Sequence, residues 1–458
     1  MKKKYESLIE GSISKSLILF AVPIMVTNLF QQFYNSVDTA VIGSFAGNNS
    51  LAAVGSSATL MNLLVGFFLG IATGTGILIA NYYGAGNYKK LKKVAQTAIL
   101  LSFCAGIVIM ILGIIFVYKI LVFMNCPYEV ILLAASYLKI ILIGVPANLV
   151  YNVGAGIVRA CGDSKRPLYY LFLSGMLNAV LDFLFVAYFK MDVEGAALAT
   201  TIAQYFSAVL IIINIRNSAM PYKIKLKNMS LSKEEAIDIT KISVPCGLQT
   251  AMFNISNILV QISINGFGAI VMAGYAAYER IDLFLYVPMQ AFSLAISTFV
   301  GQNIGAGKQS RIKKGIRIAL IITLFVTILL SLIVIYFRNS LLGLFTSSSE
   351  IKEAGIKCMF ILAPFTWTLL FSEILAGAIR GTGKTVQTMI ITACSVCVFR
   401  IIWLSILNPM FNDVRIVYLC YPVSWTLASI CITIYYLIIK DKNVQTKKLK
   451  KGKLKVSI

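Results

Sequence analysis

Twelve stretches of mainly apolar residues, each long enough to cross a bilayer as a helix, constrain this chain more than any other feature. Such a helix needs about 20 residues, and inside the hydrocarbon its backbone polar groups must find their partners within the segment. The stretches lie near 16–40, 51–80, 94–118, 130–158, 168–189, 196–215, 242–265, 271–300, 318–337, 355–379, 385–407 and 416–439. Alternation in segments of about ten residues, the mark of a membrane barrel, is absent. The sequence therefore predicts an all-α polytopic membrane protein with no soluble domain between its spans. Met1-Lys2-Lys3-Lys4 opens like a signal peptide, but the run behind it is too long and holds Gln31, Gln32 and Asp38. It reads as a retained first helix.

Charge supplies the orientation. Of 41 Lys and Arg, 32 fall on one side when the N-terminus is placed in the cytoplasm, and five fall opposite. That bias predicts an inner (cytoplasmic) membrane of bacterial type, with both termini cytoplasmic. The net charge of +23 is thus a topology signal, and the basic tail at 441–458 is expected on anionic lipid headgroups. No nucleic-acid partner is expected. With no histidine among 458 residues, Ser-His-Asp and Cys-His nucleophiles and histidine-ligated zinc are excluded. Cys394 and Cys397 form a CxxC inside an apolar run, where packing is the expected role.

The chain repeats itself with an offset near 221. Gly84-Ala85-Gly86 and its lysines recur as Gly305-Ala306-Gly307 with Arg311, Lys313 and Lys314, while Pro23 and Asn35 correspond to Pro245 and Asn257. Gly156, Arg159 and Gly162 correspond to Gly377, Arg380 and Gly383. This predicts two pseudo-symmetric six-helix bundles, 1–215 and 242–440, around a central cavity, joined by a basic cytoplasmic linker at 216–241. Gly383-Lys384-Thr385 ends like a phosphate-binding loop, but Ala378 stands where a glycine is needed and no strand precedes it. No ATP use is expected, and the stretch reads as a turn between helices.

Acids within membrane helices are costly and usually face a cavity or a partner. Five qualify: Asp38, Asp182, Glu279, Asp282 and Glu373. Asp38 shares a helical face with Gln31, Tyr34 and Asn35, and Asn178 lies one turn from Asp182. By the charge topology Asp38, Asp182 and Thr200 sit at similar depth in the outer half, with Asn178 one turn deeper. Such oxygens suit a hard cation such as Na+; alternatively, the two desolvated carboxylates share a proton. In the second half Val260 replaces Asp38, and Asn254, Asn257, Gln261 and Asn265 form a polar stripe. Glu279 and Asp282 share a face with Tyr286 and Gln290, while Arg280 and Arg400 are available to neutralise acids there. Pro23 and Pro245 are candidate gating kinks. Gly66, Gly70 and Gly74, four apart, predict close helix packing.

These features together resemble the multidrug and toxic compound extrusion (MATE) family: twelve spans in two halves, paired Gly-Ala-Gly basic loops, Pro23 with Asp38, and Asn178-x-x-x-Asp182 followed by Gly195 to Thr200. The resemblance implies a monomeric secondary antiporter, not an enzyme and without a cofactor, which exports organic cations in exchange for Na+ or H+ by alternating access. It assigns the coupling cation to Asp38, Asn178, Asp182 and Thr200. Gln31, Tyr34, Asn35, Asn257, Gln261, Glu279, Asp282 and Glu373 become substrate or cavity candidates. The rival readings are a lipid-linked saccharide flippase of the same superfamily and a membrane-embedded enzyme. Five internal acids against four internal bases disfavour the first, and the absence of a catalytic constellation disfavours the second.

Overall fold

The computed structural model describes residues 8–124, 126–224 and 229–454, without the side chains of Tyr34, Asn35, Asn48, Leu51, Thr59 and 440–454. The candidates Tyr34 and Asn35 therefore lie outside the described side chains, as does the basic tail. Every long element is a helix. The spans of the first half are α1 (Ile13–Phe45), α2 (Asn48–Gly84), α3 (Tyr88–Phe123), α4 (Tyr128–Ala160), α5 (Lys165–Tyr188) and α6 (Asp192–Asn217). Those of the second are α7 (Lys233–Asn265), α8 (Ala269–Gly305), α9 (Gln309–Tyr336), α10 (Ser349–Gly381), α11 (Thr385–Phe411) and α12 (Val414–Ile439). The backbone of α12 stays helical to Leu454, and a short helix, Arg338–Gly343, follows α9. Eleven of the twelve are apolar enough to qualify as spans on composition alone. The exception is α7, whose 33 residues carry the Asn254–Asn265 polar stripe. This gives the twelve-helix, two-lobe arrangement of an integral membrane protein.

By packing, the chain divides into two compact units. One comprises Met1–Asn254 with Thr298–Gly315, and the other Ile255–Ser297 with Ile316–Ile458. In the first, α4 is the central helix: from Gly144 to Ala160 every residue except Asn148 and Arg159 is buried. A helix apolar all round has no solvent face to spare, and this one packs against α2, α3 and α6. The linker docks on the same core through Tyr222 and Ile224, both essentially inaccessible. At the start of α7 the Ser232 and Glu235 side chains hydrogen-bond to each other, while the Ser232 backbone N–H donates to Thr97 Oγ1 at 3.4 Å.

The glycine stripe of α2 does what its spacing predicts. A Cβ added at Gly70 would lie 2.5 Å from Gly247 Cα, and one at Gly74 would lie 2.4 Å from Ser243 Cα. The two helices thus meet backbone to backbone, with Thr75 and Ser243 hydroxyls hydrogen-bonded beside the crossing at 3.2 Å. A second crossing joins the lysine-rich ends: a Cβ at Gly84 would fall 1.9 Å from the Gln302 carbonyl, and one at Gly305 2.0 Å from that of Asn81. The repeated turns beyond them match in conformation, since Gly86 and Gly307 both adopt φ of 69°, a value that glycine reaches without a Cβ penalty.

The prolines behave differently from one another. α1, α4 and α7 run unbroken through Pro23, Pro146 and Pro245. At Pro364 the helix tightens instead into a 3-10 turn, Ala363–Phe365. Two spans carry a π turn: Phe183–Tyr188 ends α5, and Ala393–Val398 lies within α11. The CxxC falls in the latter, with both cysteines free and Cys397 buried. Gly383-Lys384-Thr385 forms the expected turn between α10 and α11.

Overpacking a close helix crossing costs about 1–3 kcal/mol. Gly74→Val should therefore lower the thermal unfolding midpoint of the detergent-solubilised protein clearly. Gly55→Val, on the same helix with nothing within 4 Å of its added Cβ, should leave it within a degree or two.

Candidate functional site

Three helices of the first unit bring the predicted polar residues together. α5 and α6 are tied by Ser174, whose hydroxyl donates to the Ala203 carbonyl at 2.6 Å. Asn178 and Asp182, one turn apart on α5, are both buried, and the Asp182 side chain has no exposed surface. In the amide orientation that satisfies its surroundings, Asn178 Nδ2 donates to Asp182 Oδ2 at 2.9 Å. Its oxygen then accepts from the Thr200 backbone N–H at 3.1 Å and from Thr200 Oγ1 at 3.3 Å. Asn178 is thus the bridge that fixes Asp182 to the start of α6.

Asp38 completes the site from α1. Its carboxyl group lies within hydrogen-bonding reach of the Asp182 carboxyl group. Each of the two also keeps one buried oxygen, Oδ1, without a donor. Buried polar atoms are nearly always satisfied, and two facing carboxylates repel unless something positive lies between them. The site is two facing carboxyls, braced by an amide and a hydroxyl that are engaged with each other. Chemically it suits either one proton shared between the acids or one small hard cation. The sequence placed all four residues; the direct contact of the two acids is what the structure adds. Gln31, on the same face of α1, is half-buried.

The second unit distributes its polar candidates differently. Glu373 pairs with Arg380 at 4.0 Å, and Ser293 bridges the two by accepting from Arg380 Nη2 at 2.9 Å while donating to the Glu373 carbonyl at 2.9 Å. The sequence marked Arg380 only as a landmark of the repeat. Asp282 accepts from the Tyr278 hydroxyl at 2.9 Å, one turn away on α8, and Glu279 is exposed. Gln261 donates to Asn265 at 2.7 Å. Asn257 accepts from Arg400 Nη1 at 2.8 Å, while Arg400 is wholly buried with its guanidinium 4.2 Å from the centre of the Tyr421 ring. Tyr421 continues the chain to the Tyr275 hydroxyl at 2.8 Å. These candidates therefore do not converge on one cluster as those of the first unit do. The Tyr275–Tyr421–Arg400 chain escaped sequence reasoning because aromatic residues in a membrane helix carry no pattern that separates packing from hydrogen bonding.

The sequence pattern of the MatE family matches residues 23–184 and again 245–405. The chain belongs to the multidrug and toxic compound extrusion (MATE) family. The two matched segments begin at Pro23 and Pro245, so the family unit coincides with the internal repeat. Among relatives, the probable multidrug resistance protein YoeA of Bacillus subtilis (strain 168) is 27% identical over 447 residues, covering 95% of this chain and 96% of that protein. The probable multidrug resistance protein NorM of Thermotoga maritima is 27% identical over 394 residues, 85% of this chain and 84% of that one. The multidrug export protein MepA of Staphylococcus aureus (strain MSSA476) is 22% identical, with 97% and 98% covered. Among solved structures, a MATE protein in its bent conformation superposes with a TM-score of 0.90 at 23% identity, over 97% of this chain and 99% of that one. An outward-facing MATE transporter of the MOP superfamily gives 0.89 at 23% identity, with 98% and 100% covered. The fold is that of MATE transporters.

Replacing Asn178 by Leu would leave a buried Asp182 oxygen without its donor, which costs about 1–3 kcal/mol. The variant should unfold at a measurably lower temperature than wild type in nanodiscs, whereas Gln261→Leu, which removes a donor from a pair at the exposed end of α7, should not.

Proposed function

We propose that this MATE protein is a secondary antiporter that exports organic cations in exchange for one monovalent cation, Na+ or H+, bound between Asp38 and Asp182. The observation that carries the reading is the contact of these two carboxyl groups inside the membrane, braced by Asn178 and Thr200. The relatives named for multidrug resistance and export support the exporter reading over a saccharide flippase. The 32-to-5 distribution of basic residues supports a cytoplasmic membrane with both termini inside.

Coupling follows from charge. With the cation bound, the acids are neutralised and α1, α5 and α6 can pack tightly around them. Without it, the same carboxylates are an anionic site that favours a positively charged substrate. The coupling ion and the organic cation therefore favour different states, and each promotes release of the other by an equal factor. Alternating access carries the exchanged species across. Aromatic side chains offer cation–π surface to flat cations, and Pro23 and Pro245 remain candidate flexure points in α1 and α7. The acids of the second unit are left to substrate contact: Asp282 and Glu279 on α8 are the ones not tied into an ion pair with Arg380.

The test is transport of a fluorescent organic cation by proteoliposomes under imposed Na+ or H+ gradients. Wild type should accumulate or expel the dye only when one of the two gradients is present. Asp38→Asn and Asp182→Asn should each reduce ion-driven transport at least tenfold while reconstituting to wild-type levels. Gradient-driven transport by both variants at wild-type rate would contradict the reading.

A further inference from the structure

The repeat allows the two halves to be compared position by position. Asp38 on α1 corresponds to Val260 on α7 by the offset of 222 that relates Pro23 to Pro245 and Asn35 to Asn257. Thr200 on α6 corresponds to Tyr421 on α12 by the offset of 221 that relates the glycine landmarks. On α5 and α11 the comparison needs one structural detail. Asn178 lies 16 residues beyond Gly162, whereas Arg400 lies 17 beyond Gly383. The π turn Ala393–Val398 precedes Arg400, while α5 is regular up to Asp182. A π turn closes its hydrogen bond one residue later than an α turn, so it takes up the extra residue and brings Arg400 into the register of Asn178. In the same register Asp182 corresponds to Leu404.

The contacts of Arg400 agree with that register. Its guanidinium reaches α7 at Asn257 Oδ1 (2.8 Å) and Ser256 Oγ (3.5 Å), and α12 at Ser424 Oγ (3.0 Å) and the face of Tyr421. These are the counterparts of α1 and α6, the helices that supply Asp38 and Thr200 to the site in the first half. The two acids of that site are replaced by Val260 and Leu404, both buried. Where the first half has two facing acids, the second has two aliphatic residues and a cation of its own. An arginine stays charged at any physiological pH, and buried here it is held by an amide oxygen, two hydroxyls and an aromatic face, the kind of set that offsets desolvation of a guanidinium.

Resting on the antiport reading above, we infer that Arg400 is the second half's tethered substitute for the exchangeable cation of the first half. It holds α7, α11 and α12 throughout the cycle in the packing that α1, α5 and α6 adopt only when their ion is bound. Ion coupling is thereby confined to the first half, and the second half contributes no exchangeable cation.

Hydrogen–deuterium exchange of the full chain in lipid nanodiscs tests this directly, in separate arms with and without Na+ and at pH values on either side of neutrality. Wild type should gain protection on addition of the coupling ion in peptides around Asp38, Asn178–Asp182 and Thr200. Peptides around Asn257, Arg400 and Tyr421 should not change. Arg400→Lys, which keeps the charge, should preserve protection of the second set. Arg400→Gln, which keeps hydrogen bonding without charge, should raise its exchange several-fold while the ion response around Asp38 persists. An equal ion response in both sets would overturn the inference and leave the antiport reading standing, as would Gln protecting α7, α11 and α12 as well as Lys does. Absence of an ion response anywhere would overturn both. The wild-type comparison decides the matter even where a variant fails to fold.

Discussion

Two carboxyl groups in contact inside a bilayer need a positive partner, and the rest of this structure is arranged around that requirement. Charged side chains at membrane depth are costly, and like charges in contact add to the cost. Asp38 and Asp182 nevertheless meet within a unit whose helices pack closely elsewhere: α4 buried almost throughout from Gly144 to Ala160, α2 against α7 at Gly70 and Gly74, and the lysine-rich ends crossed at Gly84 and Gly305. What remains free to vary is the positive partner itself, which is the property that an ion-coupled exchanger requires.

The two halves solve the same geometric problem with opposite chemistry. Both place a charged or polar side chain of the fifth helix of the set against its neighbours, Asn178 against the sixth and Arg400 against the first and sixth. One leaves its acids to be neutralised from outside, whereas the other carries the neutral aliphatics Val260 and Leu404 and a built-in guanidinium. Pseudo-symmetric backbones therefore support a functional asymmetry, with one half responsive and the other set. The half-buried ion pair Glu373–Arg380 and the Tyr275–Tyr421 hydrogen bond add further polar contacts to the second unit.

Much of this was legible in the sequence, for identifiable reasons. Helices in lipid must satisfy their own backbone, so apolar runs report the spans directly; among them only the polar α7 falls short of the hydropathy of the other eleven. The first-half site was readable because Asn178 and Asp182 sit one turn apart and Asp38 is the lone acid of α1. The Glu373–Arg380 pair was less legible, since its Ser293 bridge joins residues 80 and 87 positions apart. The place of Arg400 was hidden by a single residue: without the π turn the repeat aligns Asn178 with Phe399, and the guanidinium falls out of register. Proline spacing likewise marks possible flexure points but does not tell Pro364, where the helix type changes, from Pro146, where it does not.

The central claim is that the coupling ion and the organic cation contend for the charge of Asp38 and Asp182. It is tested most directly by counting the ions released when an organic cation binds the purified, ion-loaded protein, using calorimetry in buffers of differing ionisation enthalpy for protons and a sodium-selective electrode for Na+. The account predicts release of about one ion of a single kind per substrate bound, and none from the Asp38→Asn/Asp182→Asn double variant. Substrate binding without any ion release by wild type, or undiminished release by the double variant, would contradict it.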